Sequence, residues 1–125
     1  MTLGYLEHVA IRVRSLGPHL AFFREVCGME VRDQQVIGGL KQVWVTGGIQ
    51  FIEDPAFDGR ESRFAHLGIF VDDLDAALEA AARHDVIVLP KGRNWLRLPD
   101  GLEVELDQAR GDAVARALSI DARNG

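Results

Sequence analysis

The sequence predicts an α+β fold in which two βαβββ modules form a cup-shaped, mixed eight-stranded sheet. Segments that alternate apolar and polar residues indicate half-buried strands, and in two places such a segment is followed by a stretch with helical spacing. The pattern also recurs, because residues 8–31 align with residues 66–89 with five identities in 24 pairs. Since one helix covers only one face of each sheet, we expect the two modules to pack side by side.

The first module is predicted over residues 5–53. Its first strand is Glu7–Val13, whose odd-numbered apolar residues share one face. Ser15 can cap the next helix and Gly28 can end it; its apolar stripe is Leu16, Leu20, Phe23 and Cys27. Paired glycines then separate three predicted strands, which are Met29–Val36, Leu40–Thr46 and Ile49–Glu53.

The second module is predicted over residues 64–108, after a polar linker at residues 54–63. Its first strand is Ala65–Val71, and Asp72 or Asp73 caps a helix that continues to Arg83. The remaining strands are expected at Val86–Leu89, Asn94–Leu98 and Leu102–Asp107, with a turn at Pro99-Asp100-Gly101. Residues 109–125 form a C-terminal segment, with a short helix at Gly111–Ile120 and a frayed tail at Asp121–Gly125.

Composition narrows the class of protein. The 125 residues fit a single domain, and 14 basic against 19 acidic residues give a net charge of −5, which argues against nucleic acid as a partner. Cys27 is the single cysteine, so an intrachain disulfide is excluded and a reducing compartment is indicated. Apolar runs of at most four residues rule out a membrane helix, and Met1–Val13 lacks the features of a secretion signal. We therefore expect a cytoplasmic protein that binds neither nucleic acid nor membranes.

Four polar residues are predicted to face the cup. The apolar side of each module's first strand must meet the helix, so His8 and His66 point the other way. Gln50 and Glu105 hold matching places on the fourth and eighth strands, each between two apolar residues. Two imidazoles, an amide oxygen and a carboxylate form a ligand set for a divalent transition metal. The alternative is that the two histidines are structural or merely exposed.

Four segments resemble the vicinal oxygen chelate superfamily, which includes glyoxalase I, methylmalonyl-CoA epimerase, fosfomycin-modifying enzymes, extradiol dioxygenases and bleomycin-binding proteins. The segments are His8–Leu16, Ala21–Val31, Ala65–Leu74 and Leu98–Leu106. The resemblance implies a glyoxalase-like fold over about residues 5–108. It places the family's metal positions at His8, Gln50, His66 and Glu105, a set similar to that of the epimerase branch. The implied cofactor is one divalent ion per site, among Ni, Co, Zn, Mn and Fe.

The resemblance further implies a metal-dependent lyase or isomerase/epimerase that removes a proton next to a chelated carbonyl. Glu105 is the first candidate for the base, because a metal-bound Glu takes that role in glyoxalase-like enzymes. Glu103, two residues earlier on the same strand face, is the second, with a solvated charge at the rim as its alternative.

Substrate-binding residues are expected on the same face. Arg12 has the spacing of an Arg that holds the glutathione carboxylate in glyoxalase I; a rim salt bridge is its alternative. Strand parity adds Trp44, Trp95 and Arg97, although both tryptophans can also be core residues. Together these residues predict an anionic small-molecule substrate with some flat or apolar surface.

Two other functions remain open at this stage. An extradiol-type dioxygenase uses a His/His/Glu set at Fe(II), but Gln50 would occupy a position that oxygen needs. A drug-binding protein of the bleomycin-resistance type works without metal, and its relatives lack the ligands that this chain keeps. Open sheet edges also lead us to expect a homodimer.

Overall fold

A computed structural model describes residues 2–27, 29–60, 62–98 and 101–120, without the side chain of Cys27. The elements, in chain order, are β1 (Gly4–Val13), α1 (Leu16–Cys27), β2 (Val31–Ile37), β3 (Leu40–Val45), β4 (Ile49–Glu53), β5 (Phe64–Val71), α2 (Leu74–Ala81), β6 (Ile87–Val88), β7 (Trp95–Arg97), β8 (Glu103–Gln108) and α3 (Ala113–Leu118). The predicted tail, Gly28 and the Pro99-Asp100 part of the last turn lie outside the described residues.

The strands form one mixed sheet in the order β2-β3-β4-β1-β5-β8-β7-β6. β1 pairs with β4 and β5 pairs with β8 in parallel, whereas β2 with β3, β3 with β4, β6 with β7 and β7 with β8 are antiparallel. The α+β class and the mixed eight-stranded sheet predicted from the sequence are therefore confirmed.

Element bounds differ from the prediction mainly where strand alternation is weak. β1 begins at Gly4, three residues before the predicted start at Glu7. β6 contains only Ile87 and Val88, because this edge strand has β7 as its sheet neighbour and pairs with it at two positions.

At the start of α1, the N–H of Leu16 donates to the carboxylate of Glu53 over 2.9 Å.

The chain divides into two compact units. The first unit is His8–His66, and the second unit comprises the described residues on either side of it. In the first unit, α1 packs on one face of the sheet through Leu20 and Phe23. The buried cluster beneath it consists of Val13, Leu16, Val43, Val45 and Phe51.

In the second unit, α2 contributes Ala77 to a buried set that includes Val71, Leu96 and Val104. Asp73, rather than Asp72, caps this helix, and its carboxylate accepts a hydrogen bond from the N–H of Ala76 over 3.0 Å. The predicted C-terminal helix is present as α3, but it is shorter than expected. Among the residues that the structure describes, no helix has the length and apolarity to cross a membrane.

Candidate metal centre

Two buried histidines of the first unit meet on the sheet face opposite α1. His8 lies in β1 and is 3% exposed, and His66 lies in β5 and is 7% exposed. Their Nε2 atoms are 3.0 Å apart, and their rings are nearly perpendicular, at 87°. The outward direction that strand alternation predicts for His8 and His66 therefore brings two imidazole nitrogens to one point.

Gln50 lies on the same face of the first unit. In the parallel pair of β1 and β4 it stands beside Ala10, two residues after His8, and it is 3% exposed. Its Nε2 donates a hydrogen bond to Oε1 of Gln42 in β3 over 2.6 Å. Trp44 stands directly opposite Gln50 in the antiparallel pair of β3 and β4. The strand-parity prediction for Gln50 and Trp44 is thus consistent with the register.

Glu105 belongs to the second unit and is positioned by β8. It stands beside Gly68 of β5 and opposite Trp95 of β7. Glu105 therefore lies on the same face of this parallel pair as Gly68. Carboxylate oxygens of Glu7, Glu105 and Asp107 lie within 4.8 Å of one another. This part of the second unit therefore concentrates negative charge around Glu105.

Glu103 has a different environment from Glu105. Its carboxylate forms ion pairs with Arg97, at 3.2 Å, and with Lys91, at 3.7 Å. The ammonium of Lys91 also lies 4.4 Å from the centre of the Trp95 ring. Glu103 is thus paired with two cations at a partly exposed place. Its predicted role as a second base stays a prediction.

Arg12 is held by the segment between the two βαβββ repeats. Its guanidinium donates to the carbonyl oxygen of Ser62 over 2.5 Å and lies 5.9 Å from the ring of Phe57. Arg63 lies over the same ring at 5.0 Å, and Arg14 donates to the Phe57 carbonyl over 2.9 Å. Arg12 therefore fastens this segment to β1, and its predicted contact with an anionic substrate remains a prediction.

The imidazole pair fits a divalent ion. Two nitrogen ligands that bind at right angles, each about 2.1 Å from an ion, are separated by about 3.0 Å. The Nε2 atoms of His8 and His66 have this separation. Imidazole suits Zn, Fe, Ni and Cu, and an amide oxygen or a carboxylate can complete such a shell. The donor set is therefore chemically suited to a transition metal.

Three residues beside Glu105 or Glu103 in the second unit were not predicted from the sequence. Asp107 has the same strand parity as Glu105, so alternation alone could have found it. Glu7 opens the predicted first strand, and only the pairing of strands brings it near β8. Lys91 lies in a turn before β7, where no periodic signal indicates the direction of a side chain.

Comparison with known proteins identifies the family. The model of the Glyoxalase/Bleomycin resistance protein/Dioxygenase superfamily matches residues 5–106. The chain belongs to this superfamily, and the resemblance predicted from the sequence is confirmed. No curated protein is similar enough to this sequence to count as a match.

Solved structures share the fold. Methylmalonyl-CoA epimerase from Mycobacterium tuberculosis is 20% identical, with a TM-score of 0.65 over 88% of this chain and 91% of its own. A variant of the Streptomyces coelicolor methylmalonyl-CoA epimerase in complex with 2-nitronate-propionyl-CoA is 21% identical, with a TM-score of 0.64 over 87% and 96%. The halotolerant catechol dioxygenase BphC is 20% identical, with a TM-score of 0.63 over 83% of this chain and 40% of its own.

Proposed function

We propose that the protein is a divalent-metal-dependent isomerase or lyase that removes a proton from a carbon next to a chelated carbonyl, with epimerisation as the favoured outcome. The observation that carries this proposal is the buried His8–His66 pair, whose Nε2 atoms are 3.0 Å apart. Two imidazole nitrogens this close to each other can both bind one divalent ion.

The proposed ligands are His8, Gln50, His66 and Glu105. Three neutral ligands and one carboxylate would leave a divalent ion with a net charge near +1. When bound, the ion would supply Lewis-acid stabilisation of the negative charge that develops on the substrate carbonyl oxygen. Because Gln50 brings no charge, it would complete the shell without weakening that effect.

Glu105 is the proposed base. Its carboxylate oxygen accepts the proton as the carbon–hydrogen bond breaks, and the bonding electrons delocalise toward the carbonyl oxygen. Return of one proton to the opposite side of the carbon inverts its configuration and leaves the substrate formula unchanged. The carboxyl groups of Glu7 and Asp107, within 4.8 Å of that of Glu105, would take up its proton and donate one to the opposite side of the carbon.

The proposed substrate is an acyl thioester that carries a carboxylate. Arg97 and Lys91 form a basic group beside Trp95, with Glu103 between the two cations. Such a group can bind an anion and stack a flat moiety. The epimerases with the same fold include a complex with a propionyl-CoA derivative, which supports the thioester class for this chain.

The test measures metal content and proton exchange on the same samples. Protein without a histidine tag is loaded in turn with Co, Ni, Zn, Mn and Fe(II), and solvent deuterium incorporation into a 2-carboxyacyl thioester is followed by NMR. We expect one ion per chain and exchange that falls at least 100-fold in Glu105→Gln, as is usual when a general base is removed.

Glu79→Gln is the matched control, because it changes an exposed carboxylate of α2. It should leave both metal content and exchange at the wild-type level. Wild-type protein that binds no ion would overturn the proposal. Oxygen consumption with a catechol in the Fe(II)-loaded protein, without deuterium exchange, would instead support the dioxygenase alternative.

A further inference from the structure

We propose that Gln42 is a positioning residue that orients the amide of Gln50 so that its Oε1, and not its Nε2, is presented as the metal ligand. This inference rests on the proposed function, because it assigns a role around the same metal centre. It concerns a residue of β3 that would not itself bind the ion or the substrate.

The register explains why Gln42 can reach Gln50. Gln42 stands opposite Ile52, and Gln50 stands opposite Trp44, so the two glutamines are diagonal neighbours on one face of an antiparallel pair. Long side chains in this arrangement can touch. The bond from Nε2 of Gln50 to Oε1 of Gln42 measures 2.6 Å, and Gln50 is 3% exposed. Little solvent is therefore available to replace this bond.

The bond matters because an amide has two unlike ends. Only the oxygen of Gln50 can serve as a metal ligand, whereas the NH2 group would point two hydrogens at a cation. With Nε2 donating to Gln42, Oε1 is the end that remains for the ion. Reversing the Gln50 amide alone would set its oxygen against Oε1 of Gln42, and two acceptors at that distance repel each other, so the reversal requires the Gln42 amide to turn over as well.

Substitutions at position 42 can separate the two orientations. Glu at this position only accepts hydrogen bonds, so Gln42→Glu preserves the orientation of Gln50. Met has nearly the same length without a strong acceptor, so Gln42→Met releases the amide without changing the charge. Partners that orient metal ligands typically contribute a factor of about 10–100 to metal affinity.

The experiment measures the dissociation constant of Co or Zn by chelator competition, in 0.1 M and 0.5 M salt. We expect affinity to fall about 10-fold or more in Gln42→Met. In Gln42→Glu we expect wild-type affinity or better, and the higher salt should reveal any part of the gain that comes from the added charge. The free energy of unfolding of the metal-free protein, measured in urea, reports whether either variant is merely unstable.

A double-mutant cycle with Gln50→Ala supplies the decisive comparison. If Gln42 acts through Gln50, Gln42→Met should cost no further affinity once Gln50 is gone. Equal affinity in wild type and Gln42→Met, or an equal loss in both backgrounds, would overturn this inference. Wild-type protein that binds no metal would instead overturn the proposed function, so the two failures are distinguishable.

Discussion

His8 and His66 are 58 residues apart in the chain, yet their Nε2 atoms approach within 3.0 Å in the structure. Each residue opens the aligned part of one sequence repeat, so the repeat itself brings two identical side chains together. Two imidazole nitrogens at this distance can form one hydrogen bond with each other or bind one metal ion together.

Metal should therefore stabilise the protein through this pair. A ligand that binds only the folded state at 100 times its dissociation constant adds about 2.7 kcal/mol to the free energy of unfolding. We expect a corresponding rise in the melting temperature with Co or Zn, and its loss in His66→Ala. His84→Ala is the control, because His84 is exposed and lies three residues beyond the end of α2. An equal rise in His66→Ala would show that the metal binds elsewhere.

The packing of α1 depends on Phe51, which is fully buried and lies 5.6 Å, between ring centres, from Phe23. Phe51→Ala should lower the free energy of unfolding by about 3–5 kcal/mol, because it leaves a cavity beneath the helix. Phe22→Ala, at a residue that is 54% exposed, should cost less than about 1 kcal/mol. Urea unfolding measures both values, and similar losses in the two variants would contradict the assignment of the core.

Acid should weaken the attachment of the N-terminal segment at Asp72. The hydroxyl of Thr2 and the N–H of Leu3 donate to this carboxylate, and they hold its pKa below the usual value. A carboxylate with a lowered pKa in the folded state stabilises the protein above its unfolded-state pKa. That contribution disappears as the pH falls through the folded-state value, below about pH 4.

The expected result is a flatter dependence of the free energy of unfolding on pH in Asp72→Asn, at and below about pH 4. Thr2→Ala removes the hydroxyl donor but keeps the carboxylate, so its pH dependence should lie between those of wild type and Asp72→Asn. Urea unfolding between pH 2.5 and pH 6 measures these slopes. Identical slopes in all three proteins would contradict the role of the Thr2 contact.

The basic group around Glu103 should affect substrate affinity more than stability. Arg97→Gln should raise the KM for an anionic thioester several-fold with little change in kcat, because the contact is present before and during the reaction. Its effect on the free energy of unfolding should stay below about 1 kcal/mol, as for other exposed ion pairs. Arg93→Gln is the control, because Arg93 pairs with Asp75 of α2 at 2.7 Å. An unchanged KM in Arg97→Gln would refute anion binding there.

The sequence predicted the faces of strands well because alternation is a local signal. Gln50 and Glu105 each lie between apolar residues of a strand that the structure contains, opposite Trp44 and beside Gly68 respectively. Their part in a metal site stays a prediction. What alternation could not predict is contact between distant residues. The N–H of Leu16 is bound by Glu53, which lies 37 residues away, whereas the sequence offered only the adjacent Ser15 as a cap.

Side chains from turns were the least predictable part of the site. Glu103 shares the parity of Glu105, so the sequence proposed it as a second base. In the structure, the carboxylate of Glu103 pairs with Lys91. Lys91 lies in a turn, where the sequence has no periodic pattern. Likewise, the 2.6 Å bond between Gln42 and Gln50 depends on the register of β3 and β4, which alternation along one strand cannot predict.

β2 also bears on how the protein can be handled. It is an edge strand of seven residues, and every one of them is exposed, including Val36 at 70% and Ile37 at 47%. A bare strand edge with apolar side chains is a template for unwanted intermolecular pairing. Arg32 and Asp33 carry charged side chains in this strand, and charges at a strand edge oppose intermolecular pairing. Concentrated samples should consequently aggregate less at low salt than at high salt, which screens these charges.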